Sequence, residues 1–87
     1  MDSSLQGLRV DCSLDVRGIE RPDSYVKALE QLKQMPENHV LELYLDEGEP
    51  LRTIPFGLRA EGHEILVSEP IKDGVRLLVR KRTLLAG

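Results

Sequence analysis

Apolar positions along this chain alternate between a two-residue period and a helical one. From Leu8 to Val16, the residues Val10, Cys12 and Leu14 interleave with Arg9, Asp11, Ser13 and Asp15, the pattern of a half-buried strand. Gly18 marks the turn after it. Tyr25, Ala28, Leu29, Leu32 and Met35 then recur at spacings of three and four, which predicts a helix opening near Pro22. Lys27, Glu30, Gln31 and Lys33 fall on its wet side. A proline suits the first helical position because its φ is fixed and its missing N–H has no partner to lose. Asp23 either follows it as a charge that favours the positive helix end, or is itself the N-cap. Pro36 ends the helix.

Val40 to Leu45 alternates again, with Leu41, Leu43 and Leu45 on one side and Val40, Glu42 and Tyr44 on the other. Asp46 to Pro50 reads as an acidic turn. A shorter helix is expected over about Thr53 to Glu61, with Thr53 as N-cap, Pro55 in the first turn and Ile54 and Leu58 facing the core. Gly62 suits the left-handed position just past its end. Glu64–Lys72 and Val75–Lys81 read as two strands joined by Asp73-Gly74, a strong hairpin signal. Pro70 implies that the first of them lies at an edge or has a break there. Ile65 and Val67 are expected to face inward beside Val75, Leu77 and Val79.

The order is strand, helix, strand, helix, strand, strand. Each helix has one apolar side, so both can cover one face of a four-stranded mixed sheet. The expected fold is a two-layer α/β (α+β) sandwich, a single domain over 1–87 with a core of about 8–82 and loose ends. Composition adds bounds: at 87 residues the chain is one domain's length, and a domain this small buries about 60–65% of its unfolded surface. A net charge of −3 exerts no global pull on nucleic acid. One cysteine excludes an internal disulfide framework, and Cys12, His39 and His63 form no zinc pattern. The start lacks the basic and apolar regions of a signal peptide, and no apolar run is long enough to cross a bilayer. A cytoplasmic protein is expected.

The segment Asp15-Val16-Arg17-Gly18-Ile19-Glu20-Arg21-Pro22-Asp23-Ser24 reads as a strand end, a tight turn and a helix start. It resembles the signature of the TusA/SirA-like family of small sulfur carriers, in which a cysteine precedes a proline, any residue and a second proline. Ile54-Pro55-Phe56 and Gly62-His63 follow in the family's order, so the resemblance covers roughly Leu14 to Lys81. It implies the same two-layer fold, similar to the C-terminal domain of translation initiation factor three, and partners from a sulfur relay. In that signature the cysteine position is held here by Arg21 and the second proline by Ser24. In the family, a thiol at the helix mouth gains thiolate character from the backbone N–H groups and the helix dipole. A guanidinium cannot hold a persulfide.

The expectation is therefore a non-enzymatic binding or regulatory module with no catalytic residue, no cofactor and no metal. A protein partner is expected at Arg17, Arg21, Pro22, Asp23, Tyr44, Arg76 and Arg80; nucleic acid and membrane are not. The bland alternative for Arg21 is a solvated side chain. Cys12, in step with Val10 and Leu14, is expected to be a buried and inert hydrophobe. An active carrier working through Cys12 or a partner's thiol, serving tRNA thiolation or cofactor synthesis, is the main alternative. An RNA-binding module is the second, although Tyr44 is the one aromatic expected on the open sheet face and stacking platforms are otherwise lacking. There the arginines can simply pair with carboxylates across strands. His63 is expected near the helix-terminal carbonyls and His39 in solvent. Asp46, Glu47 and Glu49 lack the spacing of a calcium loop.

Overall fold

Leucine and valine alternation builds the sheet, and proline and glycine set where it stops. The computed structural model describes residues 9–20 and 22–83. Arg21 and the expected loose ends at 1–7 and past 83 lie outside the described residues. Six elements follow in order: β1 (Cys12–Asp15), α1 (Asp23–Lys33), β2 (Val40–Leu45), α2 (Glu49–Ala60), β3 (Glu64–Ile71) and β4 (Gly74–Arg80). The sheet order is β1-β2-β4-β3. β1 runs parallel to β2, while β4 is antiparallel to both β2 and β3. The parallel pair needs a crossover, which α1 supplies. The fold is the expected two-layer α+β arrangement with a mixed sheet.

Register explains the core. Leu41, Leu43 and Leu45 stand opposite Val79, Leu77 and Val75. Ala28 and Leu32 of α1 and Ile54 and Leu58 of α2 close over them, all buried. Tyr25 and Leu29 pack at the margin of this cluster. β1 is shorter than its alternation predicts. Its backbone bonding nevertheless extends one residue each way, from Asp11 N to Val40 O at 2.9 Å and from Val16 N to Tyr44 O at 3.0 Å.

α2 begins four residues earlier than expected. Gly48, at φ 92°, turns the chain into it, and Pro50 occupies the first turn. Thr53 is thus no cap; its hydroxyl donates to Glu49 O at 2.9 Å. Pro55 lies inside the helix and is buried. It removes the N–H that Leu51 O would accept, a loss the helix tolerates because the neighbouring turns hold. Gly57, a poor helix former by propensity, sits inside α2 for a packing reason. A Cβ there would stand 2.7 Å from the Tyr25 ring, so glycine lets α1 and α2 approach closely. The end of α2 is a Schellman motif, with His63 N bonded to Leu58 O at 3.0 Å and Gly62 N to Arg59 O at 2.9 Å.

Two departures lie in the final hairpin. A bulge separates Ile65, opposite Val79, from Val67, opposite Leu78. One extra residue reverses the facing of everything after it, so Val67 joins the open face instead of the core. The tight turn is Lys72-Asp73 rather than Asp73-Gly74, because Gly74 already pairs with Ile71. Gly74 sits at φ 151° against the end of β2, where a Cβ would meet Leu45 O. Pro70 lies on β3, an edge strand, as expected.

Candidate functional site

The turn after β1 is held by carboxylates. Asp15 Oδ1 accepts from Arg17 N and Arg17 Nε, both at 3.0 Å, and Oδ2 accepts from Nη2 at 2.8 Å. Those hydrogen bonds lower the Asp15 pKa to about 2. The Arg17 guanidinium lies 5.2 Å from the Tyr44 ring centroid, a cation–π distance. Gly18, at φ 81°, donates its N–H to Asp46 Oδ2 at 2.8 Å, tying the turn to the end of β2. Beside it is an open cleft of about 560 Å³ lined by Gly18, Ile19, Glu20, Asp46, Glu47, Glu49 and Pro50. Pro22 stands at the N-cap of α1, not in its first turn, and Asp23 is the first helical residue. Neither side chain caps the helix; Asp23 acts through its charge in the first turn.

Of the expected partner residues, Arg17 and Tyr44 are brought into contact with each other. Arg76 and Arg80 lie further along the open face and are engaged internally. Arg76 Nε donates to Glu42 Oε2 at 2.6 Å and its Nη1 to Glu69 Oε2 at 2.7 Å. Ser13 Oγ donates to the other Glu42 oxygen at 2.7 Å. Arg76 first, then Ser13, holds the Glu42 carboxyl below the usual range. Arg80 Nη1 reaches Glu64 at 3.2 Å, and Arg82 reaches Glu37 at 3.5 Å and Glu64 at 3.7 Å. Val40 and Leu78 also face this side, yet both are buried.

Cys12 opens β1, at the far end of the strand from the turn. A four-residue strand separates the two by roughly 10 Å. The residue is half-buried, opposite Leu41 and packed on the margin of the core, so the expectation of full burial does not hold. An edge strand has covered one flank of the residue and left the other open. Its neighbour Asp11 pins this end of the strand, accepting Val40 N–H at 2.8 Å. Asp11 also lies 3.8 Å from both Arg9 Nε and His39 Nδ1, so His39 has a carboxylate close by as well as solvent. His63 departs from its expected role: its Nδ1 accepts the Arg82 N–H at 3.1 Å instead of meeting helix carbonyls. It is the other helix, α1, whose terminal carbonyls receive a cation: Lys81 Nζ donates to Leu32 O at 2.6 Å and to Met35 O at 3.0 Å. No sequence period reveals that lysine, because its partners lie 46 and 49 residues away. Among the described residues no three His, Cys, Asp or Glu side chains gather as a metal site. Among them, too, no helix is long and apolar enough to cross a membrane.

The family model described as "Sulfurtransferase TusA" matches residues 13–81. The chain belongs to the TusA family. A similar protein from Archaeoglobus fulgidus, named "Putative sulfur carrier protein", is 27% identical over 70 residues, covering 79% of this chain and 80% of that protein. These matches correct the expectation of a binding or regulatory module that has lost its carrier role. That expectation rested on Arg21 standing before Pro22. Membership in the family covers the chain from the first strand to the last, and a thiol is present at the start of β1, in Cys12, one residue before the matched segment.

Proposed function

We propose that this TusA-family protein is a sulfur carrier that holds sulfane sulfur as a persulfide on Cys12. The observation that carries the reading is that the chain's single cysteine is half-exposed on an edge strand. A carrier needs a sulfhydryl that a donor and an acceptor can both reach, and Cys12 is the one sulfhydryl the chain offers. The name of the Archaeoglobus relative supports the same activity.

The chemistry needs no external oxidant. The Cys12 thiolate attacks the terminal sulfur of a donor persulfide, R–S–SH. A new S–S bond forms on Cys12, the donor's S–S bond breaks, and the donor leaves as a thiolate. Delivery repeats the exchange with an acceptor thiolate and returns Cys12 to its starting state. Core packing under Cys12 and the Asp11 bond to Val40 hold the sulfur in place at the strand's end. The cytoplasm suits such a carrier, because its reducing poise keeps a lone thiol out of disulfides.

Incubation with a cysteine desulfurase and cysteine tests the proposal by intact-mass measurement. The wild type is expected to gain one sulfur atom, released by a reductant, and Cys12→Ser to gain none. An unmodified wild type, in the presence of a desulfurase that loads a control carrier, overturns it.

A further inference from the structure

We propose that the groove between α1 and α2 docks an acidic helical segment of a partner protein, which inserts one large apolar side chain beside Phe56. Pro22 and Tyr25 of α1 and Thr53, Ile54, Phe56 and Gly57 of α2 line this groove, which encloses about 280 Å³. That lies at the lower limit of small-molecule pockets, about 300–1,000 Å³, and suits an inserted side chain better than a free ligand. Phe56 is 73% exposed at its rim, and Val26, one turn along α1 from Pro22, is 43% exposed. An aromatic ring left in water beside an apolar slot is the anatomy of an interface anchor.

Charge identifies the occupant. Arg52, Phe56 and Arg59 are spaced by four and three residues, so they form one exposed stripe on α2. The other arginines of the described structure are committed: Arg17 to Asp15, Arg76 to Glu42 and Glu69, Arg80 to Glu64, and Arg82 to Glu37 and Glu64. Arg9 has Asp11 at 3.8 Å. The guanidinium groups of Arg52 and Arg59 make no ion pair or hydrogen bond among the described residues. A chain of net charge −3 thus leaves two arginines uncompensated on either side of its most exposed aromatic. A segment with carboxylates one turn before and one turn after an apolar anchor complements that stripe. The acidic cleft at Glu20, Asp46 and Glu47 repels such a segment and confines it to the helix pair. This docking role is independent of what Cys12 does.

The probe is a fluorescein-labelled helical peptide with glutamates flanking a central leucine and phenylalanine. Two controls carry lysines at the flanks or alanines at the centre. Binding of the glutamate peptide is expected, with amide shifts confined to residues 22–26 and 52–59. Weakening by about tenfold or more is expected for Phe56→Ala and for the alanine-centred control. The double variant Arg52→Glu/Arg59→Glu is expected to lose the glutamate peptide and gain the lysine one. Since all three side chains are exposed, these variants keep the fold. Equal binding of both flank types, shifts on the sheet face, undiminished binding by Phe56→Ala, or no binding at millimolar peptide overturns the proposal. So does concentration-dependent dimerisation through this groove, which assigns it to a second copy.

Discussion

The two faces of the sheet are closed by opposite means. On the helix side, Leu41, Leu43, Leu45, Leu77 and Val79 are fully buried under α1 and α2. On the open side no layer of the described residues covers the strands, and Leu78 and Val40 are still buried. There Glu42, Glu64 and Glu69 pair with Arg76 and Arg80 across strands. Apolar burial needs only the right residue type at the right period. An ionic lid needs the right register as well, because each partner must sit directly opposite or one strand over. The helix side therefore carries the stability, while the open side sets which groups meet water.

The largest test of this contrast is Leu43→Ala, which should lower unfolding free energy by about 2–5 kcal/mol through lost burial and a cavity. Urea denaturation measures it. A cost as small as that of an exposed substitution would mean the two faces do not differ in this way. Arg76→Met on the open face should cost less, about 1–2 kcal/mol, chiefly by leaving the half-buried Glu42 carboxylate without its cation. Its pH dependence gives a second reading. The folded Glu42 pKa lies below its ordinary 4.5, so its contribution is present above that pH and fades as pH falls through the lowered folded value. Arg76→Met should flatten this acid-side loss below pH 4.5, read by urea denaturation across the acid range.

Ser24 sharpens the helix side. Its Oγ is buried with no hydrogen-bond partner among the described residues. Ser24→Ala should stabilise the protein by about 1 kcal/mol, as removing an unsatisfied buried hydroxyl does. The smallest effect is expected at the seam where the strands end. Burial, then the nearby Lys81 cation, pushes the His63 pKa down from 6.5. Its neutral Nδ1 accepts the Arg82 N–H, so stability is full above pH 6.5 and declines as pH falls below it toward the lowered folded value. His63→Asn keeps an acceptor without a titration and should remove that slope, by a few tenths of a kcal/mol. A slope unchanged in the variant would place its source elsewhere.

The helix side was legible in the sequence because a repeating period states it. Alternation gives β2 to the residue, and helical spacing puts Ala28, Leu32, Ile54 and Leu58 in the core. What was missed depends on single residues that break a period. The bulge after Ile65 leaves no mark in a run that is apolar from Ile65 to Val67, yet it moves Val67 to the other face. Pro50 reads as the end of an acidic turn, although a proline starts a helix as readily as it follows one. The site suffered from a different limit. Alternation gave Cys12 its facing correctly but not its accessibility, which depends on β1 being an edge strand, a property of strand order. Arg21 stands where the signature has its cysteine, and a substitution in one signature says nothing about a thiol elsewhere in the chain.

Sulfur transfer from the loaded protein tests the central claim most directly. The wild type, loaded with ³⁵S by a desulfurase and freed of donor, is mixed with an excess of a small acceptor thiol. The account predicts label on Cys12 that passes to the acceptor in a one-to-one exchange, with Cys12→Ser never acquiring it. Label that fails to load, or that loads equally on Cys12→Ser, contradicts it.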